Sequence, residues 1–163
     1  MNTIYTKTGD TGQTSLREGV RVDKDDLRIE VNGQIDHLNA LLGMVRTVAL
    51  SDDEKTLLRR IQCEFMVVMS LVATPDGSTN PRPLHLAELT AEMEHAIDRL
   101  TAGKTLGFTI PGDNAERAVV HVARTQTRTV ERRLWTLHRQ HPLPADVLTF
   151  FNRLSDYLFV LTL

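Results

Sequence analysis

Several residue types that mark common protein classes are scarce in this sequence of 163 residues. The single cysteine, Cys63, excludes an internal disulfide and a cysteine-based zinc cluster. Aromatic residues make up 5% of the chain and, apart from Trp135, do not interleave with basic ones, which disfavours nucleic-acid binding. The longest apolar stretch, residues 65–73 interrupted by Ser70, is too short to span a bilayer, and the first residues lack the apolar segment of a signal peptide. We therefore expect a soluble, cytoplasmic protein that binds neither nucleic acid nor membranes.

The cysteine and the histidines show no pattern of a reactive or metal-binding site. Cys63 lies within an apolar run, so we expect it to be buried and unreactive. Of the six histidines, His138 and His141 are three residues apart, but Pro142 follows them and no third ligand is evident. We expect histidines on the surface and no protein-based metal site. The sequence also offers no Ser-His-Asp or Cys-His pattern for nucleophilic catalysis.

Hydrophobic residues recur at helical spacing along five segments, and neither strand-like alternation nor an internal repeat is present. The pattern predicts helices from Leu27, after a capping box at Ser51, over about 85–100, from an N-cap at Asn114 to about residue 139, and from Ala145 to the end. Residues 1–25, rich in Thr, Gly and Asp, predict a loop that becomes ordered on binding, with an extended piece at Thr3–Thr6. The expected fold is an all-α, five-helix bundle in a single domain, with the loop at 1–25 and the bundle at 26–163.

The fourth predicted helix carries an unusual row of basic residues. Residues 114–141 contain six Arg and two Glu, a local balance of +4. At about 100° per residue, one stripe of the helix holds Arg117, His121, Arg124, Arg128, Glu131 and Arg132. Stacked arginines repel one another, so we expect a negative group against them; a solvated face with scattered salt bridges is the alternative. Asp36, which lies among apolar residues of the first helix, is one candidate counter-charge, in a structural or a catalytic pair.

The N-terminal segment from Thr6 to Ser15 has the composition of a phosphate-binding loop. Its glycines allow backbone N–H groups to converge on oxygen anions, its hydroxyls add donors, and Lys7 adds positive charge. It is not a P-loop, because no strand precedes it and no Gly-Lys-Ser/Thr opens a helix. On this pattern alone, an ordinary surface loop is the commoner explanation.

Six short motifs follow one another along nearly the whole chain. They are Thr6-Lys7-Thr8-Gly9-Asp10-Thr11-Gly12, Lys24-Asp25-Asp26, Gly33-Gln34-Ile35-Asp36-His37-Leu38-Asn39, Phe108-Thr109-Ile110-Pro111-Gly112, the arginine-rich segment Arg124–Arg132, and Asn152-Arg153-Leu154-Ser155-Asp156-Tyr157-Leu158-Phe159. In content and order they resemble the motifs of the PduO-like ATP:cob(I)alamin adenosyltransferases.

The resemblance implies a five-helix bundle that assembles as a homotrimer, with ATP and Mg²⁺ between adjacent subunits. The implied reaction transfers the 5′-deoxyadenosyl group of ATP to the cobalt of cob(I)alamin and releases triphosphate. The residues implied to hold the triphosphate and Mg²⁺ are Thr6, Lys7, Thr8, Gly9, Thr14, Ser15 and Lys24. Those implied to complete the nucleotide site are Arg128, which is also catalytic, Glu131, Arg132 and Asn152. The resemblance further implies a helix-to-helix ion pair between Asp36 and Arg124, and a catalytic Phe108 facing the corrinoid.

Two other functions fit parts of the sequence. One is a nucleotide-binding bundle of the same fold that does not transfer the adenosyl group. The other is a helical protein with a purely structural or interaction role, which predicts that nucleotide does not protect the protein against heat. For the enzyme, a reductase that supplies cob(I)alamin and an adenosylcobalamin-dependent enzyme that receives the product are the expected partners.

Overall fold

The computed structural model describes residues 5, 7–48, 50–80, 82–105, 107 and 110–163. Across these residues there are five helices: α1 (Leu27–Val45), α2 (Asp52–Val72), α3 (Leu86–Thr101), α4 (Ala115–His138) and α5 (Ala145–Val160). The predicted all-α fold is confirmed. The N-terminal region adds an antiparallel hairpin of two short strands, β1 (Gln13–Ser15) and β2 (Arg21–Asp23), which the sequence did not predict. The extended piece expected at Thr3–Thr6 falls mainly on residues outside the described part of the chain.

The helices begin at the capping residues that the sequence indicates. The Ser51 hydroxyl accepts the backbone N–H of Glu54, whose carboxylate accepts the backbone N–H of Ser51 in return, which completes the predicted capping box. Asn114 caps α4 by accepting the N–H of Arg117 at 2.8 Å. Asp26 caps α1 in the same way, so the end of the N-terminal loop is joined directly to the first helix.

The helix packing gives α4 a central position. It packs against α1 on one side and α5 on the other, while α3 packs on α5 and α2 on α1. Three phenylalanines form part of the core: Phe65 stacks on Phe151 with ring centroids 5.2 Å apart, and Phe150 meets both edge-on. The polar face of α4 is consequently bordered by α1 and by α5. No helix in the described ranges combines the length and apolarity needed to cross a membrane.

The hairpin is docked on the connection between α2 and α3. Leu16 is buried, the Arg17 N–H donates to the carbonyl of Ala73 at 2.9 Å, and the Arg17 guanidinium donates to the hydroxyl of Thr74 at 2.9 Å. Ser78 donates to the carboxylate of Glu18. The N-terminal loop is therefore fixed to the bundle through the turn of its hairpin.

Two expectations about single side chains are wrong. Cys63 is exposed, because it lies two residues from the buried Ile61 and thus on the opposite side of α2. His121, expected on the surface with the other histidines, is only 5% exposed, because α4 turns it toward α3 and α5. The apolar run around Cys63 predicted a buried side chain, and the polar stripe around His121 predicted an exposed one. In both cases the residue lies on the opposite side of its helix from the one predicted.

Candidate nucleotide site

The glycine-rich loop folds back so that Gly9 and Lys24 lie together. The N–H of Gly12 donates to the carbonyl of Gly9 at 3.3 Å, and the N–H of Lys24 donates to the carbonyl of Gly12 at 2.9 Å. The Nζ atom of Lys24 lies 3.3 Å from where a Cβ on Gly9 would stand, so a side chain there would crowd the ammonium. These two residues, predicted from separate motifs, are brought into one cluster.

Positive backbone φ angles define the tight turn that precedes β1. Gly12 has φ 87° and Lys7 has φ 60°, a conformation that lysine rarely adopts and that costs about 1 kcal/mol. The Lys7 ammonium lies 6.0 Å from the ring centroid of Tyr5. Strain of this kind persists where the surrounding structure enforces it, and it is commoner at binding sites.

Arg21 is a residue of this loop that sequence reasoning missed. One Nη donates to the hydroxyl of Ser15 at 3.0 Å and the other to the carbonyl of Thr8 at 2.9 Å. Arg21 thereby holds the predicted phosphate-binding residues of the loop to strand β2. The role of Arg21 could not be predicted from the sequence, because three-residue strands do not reveal the pairing of β1 with β2.

The second group of predicted site residues lies along the border of α4 and α5. The amide Nδ2 of Asn152 donates to Oε1 of Glu131 at 3.0 Å, which places these two predicted residues in direct contact. Arg132 donates to the hydroxyl of Thr129 at 3.1 Å and stays exposed. Arg128 is exposed as well, and no ion pair is recorded for it with any residue the structure describes.

A cavity of about 660 Å³ lies between α3, α4 and α5, beside Arg124 and Arg128. Its walls are formed by Ile97, Thr101, His121, Arg124, Arg128, Arg153, Ser155, Asp156, Phe159 and Val160. The one carboxylate in this wall, Asp156, accepts from Arg153 at 2.8 Å. The cavity thus carries an excess of positive charge, which suits an anionic ligand.

The predicted pair of Asp36 and Arg124 does not form within the chain. Gln34 accepts a hydrogen bond from Gln126 and Glu30 pairs with Arg133 at 3.0 Å, so these residues mark the side of α1 that faces α4. Asp36 follows Gln34 by two residues, about 200° around the helix, and is exposed. Arg124 faces the α5 side of α4 instead, so the two side chains point to different surfaces of one subunit.

His121 and Arg124 form a short-range pair at the cavity wall. The Nε–H of Arg124 donates to Nδ1 of His121 at 3.3 Å. Burial lowers the pKa of His121, the positive charge of Arg124 lowers it further, and Asp113 acts weakly in the opposite direction. The imidazole is therefore neutral at pH 7, as an acceptor at Nδ1 requires.

The polar contacts described for the N-terminal loop stay apart from the arginine face of α4 in the part of the subunit that the structure describes. The polar contacts of Gly9, Ser15 and Lys24 stay within the loop and hairpin, and among the described residues none reaches α4 or α5. Two predicted site residues, Thr6 and Phe108, lie outside the described residues.

An ordered glycine-rich loop, an arginine-bearing helix and a cationic cavity on a five-helix bundle suit a protein that binds an anionic ligand such as a nucleotide. The family model "Cobalamin adenosyltransferase" matches residues 4–163. A corrinoid adenosyltransferase of Citrobacter freundii is 38% identical over 162 residues, which cover 98% of this chain and 92% of that protein. The corrinoid adenosyltransferase PduO of Salmonella typhimurium is 35% identical over 97% of this chain, which spans about half (48%) of that relative's length.

A solved structure shows the same architecture. It is a variant PduO-type ATP:corrinoid adenosyltransferase from Lactobacillus reuteri complexed with cobalamin and ATP. The TM-score is 0.88 at 32% sequence identity, with 98% of this chain and 91% of that chain covered. The chain belongs to the cobalamin adenosyltransferase family, and the resemblance seen in its motifs is confirmed.

Proposed function

We propose that this protein is a transferase that moves the 5′-deoxyadenosyl group of ATP to the cobalt of cob(I)alamin. The Co(I) electron pair forms the Co–C bond at C5′, the C5′–O bond breaks, and triphosphate leaves with the electrons of that bond. The observation that carries the proposal is the match over nearly the whole chain to relatives named corrinoid adenosyltransferases. The structural likeness to a relative complexed with cobalamin and ATP supports both substrates.

The N-terminal loop binds the triphosphate in this proposal. The residues assigned to it are Thr6, Lys7, Thr8, Gly9, Thr14, Ser15 and Lys24. The contact of Lys24 with Gly9 supports the assignment, because it leaves an ammonium beside backbone that has no side chain. A developing triphosphate needs such cations and donors placed before the reaction.

We propose that Mg²⁺ binds together with the triphosphate. Among the described residues, no group of three His, Cys, Asp or Glu could hold a metal ion, so the loop hydroxyls and the phosphate oxygens are the fitting ligands. Thr14 and Ser15 supply hydroxyls on β1 beside the loop. Bound there, Mg²⁺ would neutralise charge on the leaving group.

The residues on α4 and α5 complete the nucleotide site. Arg128 is the catalytic cation, whose planar guanidinium suits phosphate oxygens, and Arg132 adds a second positive charge. Glu131 and Asn152 are held together by their hydrogen bond, which fixes the border of the two helices. No general base is needed, because the nucleophile carries no proton.

We assign the two halves of the site to adjacent subunits of a homotrimer. In the described part of one chain, the polar contacts of Gly9, Ser15 and Lys24 stay within the loop and hairpin and do not reach the arginine face, which supports this arrangement. Asp36 then pairs with Arg124 of a neighbouring copy, which agrees with their different directions on one subunit. The exposed Met44 on α1 and Val122 on α4 supply apolar surface for the contact.

Phe108 is assigned to the corrinoid side of the site. An aromatic ring that presses on the lower face of the corrinoid displaces the axial base, and Co(II) without that donor accepts an electron more readily. Three further statements stay predictions: that a reductase supplies cob(I)alamin, that an adenosylcobalamin-dependent enzyme receives the product, and that the protein is cytoplasmic.

A spectroscopic assay tests the proposal. Protein, ATP and chemically reduced cobalamin are mixed without oxygen, and the visible spectrum is followed while triphosphate is measured. We expect adenosylcobalamin and triphosphate in equal amounts, and formation of both at least about a hundredfold slower with Arg128→Ala. Protection against thermal unfolding by ATP without any adenosylcobalamin would instead identify a nucleotide-binding relative that lacks the transfer reaction.

A further inference from the structure

The cavity between α3, α4 and α5 contains a buried imidazole to which no motif assigns a role. His121 is only 5% exposed, whereas Arg124, one turn further along α4, is half-buried at the cavity wall. A neutral imidazole beside a guanidinium is useful only as an acceptor, because a protonated one would repel it. The hydrogen bond from Arg124 Nε to His121 Nδ1 is that arrangement.

Among the described residues, His121 is the hydrogen-bond partner of the Arg124 side chain, and the nearby carboxylates pair with a different arginine. On α5, Asp156 accepts from Arg153, which also pairs with Glu94 of α3 at 2.9 Å. The residues that α3 contributes to the cavity wall, Ile97 and Thr101, are uncharged. Within the described ranges, no carboxylate is paired with Arg124. Its four Nη–H groups therefore stay available to an anion from outside the subunit.

We propose that His121 is a positioning residue: its neutral Nδ1 holds the Nε–H of Arg124 and aims the guanidinium at the neighbouring subunit's carboxylate, and protonation of the ring releases it. The inference rests on the proposed intersubunit role of Arg124. A guanidinium held at Nε loses less rotamer freedom when it binds a carboxylate than a free side chain does. His121 thus acts on the assembled site through Arg124 and does not touch the substrates.

The pH dependence follows from the groups that face His121. Arg124 on α4 disfavours a proton on the ring and Asp113 favours it, while Arg128 on α4 and Arg153 and Asp156 on α5 line the same cavity. Burial is the largest cause that lowers the pKa of His121 from its ordinary 6.5. The neutral ring therefore dominates at neutral and higher pH, and its contribution to stability and positioning is lost as the pH falls through the folded-state pKa, which lies below 6.5.

The tautomer of His121 can be read directly in the wild-type protein. Long-range ¹H–¹⁵N NMR spectra distinguish a proton on Nε2 from one on Nδ1, and a pH titration gives the pKa of the ring. We expect the Nε2–H tautomer at pH 8 and a pKa below 6.5. A proton on Nδ1 at pH 8 overturns the inference, because that nitrogen could not accept from Arg124.

Two variants separate positioning from simple packing. His121→Asn places an acceptor oxygen near the position of Nδ1 but cannot titrate, whereas His121→Leu has no acceptor. We expect kcat/KM at pH 8 to stay within about threefold of wild type for His121→Asn and to fall about tenfold for His121→Leu. Between pH 8 and 5.5 wild type should lose activity more steeply than His121→Asn. The control is His95→Asn, at an exposed site on α3, which should keep the wild-type pH profile.

The outcomes are distinct. An Asn variant as weak as the Leu variant, or one with an unchanged acid limb, overturns the positioning role. If the Leu variant does not fold, the pH profile of the Asn variant and the NMR tautomer decide. If wild type shows no adenosyl transfer at all, the proposed function fails, and the NMR tautomer with the pH dependence of subunit association decides the inference.

Discussion

Glu131 and Asn152, 21 residues apart in sequence, meet through a 3.0 Å hydrogen bond that joins α4 to α5. The carboxylate accepts from the amide, so the amide oxygen of Asn152 stays available to a nucleotide donor. Two residues that come from separate sequence motifs are thus a single structural unit.

The Glu131–Asn152 contact predicts a graded effect of substitution. Glu131→Ala removes the acceptor and leaves the Asn152 amide without its partner, so we expect KM for ATP to rise about tenfold. Glu131→Gln keeps an acceptor oxygen and should have a smaller effect. KM measured by adenosylcobalamin formation checks the prediction, with Asp98→Ala at an exposed site on α3 as the control. Equal losses for Ala and Gln would show that the charge, rather than the hydrogen bond, matters.

Arg128→Ala should lower kcat by at least about a hundredfold while the protein stays folded. The side chain is exposed and forms no ion pair with the residues that the structure describes, so its removal should leave the melting temperature close to wild type. Arg128→Lys should also lose much of the activity, because an ammonium cannot reproduce the planar fork. Arg59→Ala, an exposed arginine on α2, is the matched control. Activity within twofold of wild type for Arg128→Ala would contradict the catalytic assignment.

Asp76 and Arg28 join the connection between α2 and α3, on which the hairpin docks, to helix α1. The buried guanidinium of Arg28 lies 2.5 Å from Oδ1 of Asp76, and Nδ1 of His141 lies 2.8 Å from Oδ2. Asp76→Ala leaves Arg28 without its carboxylate, so we expect a loss of about 2 kcal/mol and a melting temperature lower by about 5 °C.

Because the hairpin docks on the same connection, Asp76→Ala should also raise KM for ATP a few-fold without changing kcat. Thermal unfolding and steady-state kinetics on the same preparations check both effects. A destabilised variant with wild-type KM for ATP would show that the connection between α2 and α3 does not position the N-terminal loop.

Tyr157 has a buried hydroxyl with no hydrogen-bond partner in the part of the chain that the structure describes. Burial raises the pKa of Tyr157 well above its ordinary value, so the hydroxyl stays protonated and unsatisfied. Tyr157→Phe removes that cost and should stabilise the protein by about 1 kcal/mol, or about 3 °C in melting temperature. Differential scanning calorimetry measures the change, with Phe151→Tyr as the reverse substitution in the same helix. A clear drop for Tyr157→Phe would show that the hydroxyl has a partner.

The sequence predicts the helices far better than the contacts between their polar faces. Capping residues such as Ser51 and Asn114 act locally, so the helix starts follow from a few neighbouring residues. The hairpin depends on pairing between short strands, and the role of Arg21 appears only once those strands are paired. The direction of Asp36 depends on which side of α1 meets α4, which periodicity alone does not specify.

Asp36 and Arg124 give the sharpest test of assembly, because they do not pair within one chain: Asp36 is exposed on α1, whereas Arg124 lies at the cavity wall on α4. Asp36→Arg and Arg124→Asp should each weaken the proposed trimer, since like charges would then meet across the contact. The double variant exchanges the two charges and should recover much of the assembly, whereas two independent surface defects would add. Sedimentation velocity over a range of protein concentrations measures the dissociation. Asp98→Arg, at an exposed α3 carboxylate for which the described residues offer no ion pair, controls for charge reversal alone. If the double variant dissociates as far as the sum of the single variants, Asp36 and Arg124 do not pair between subunits.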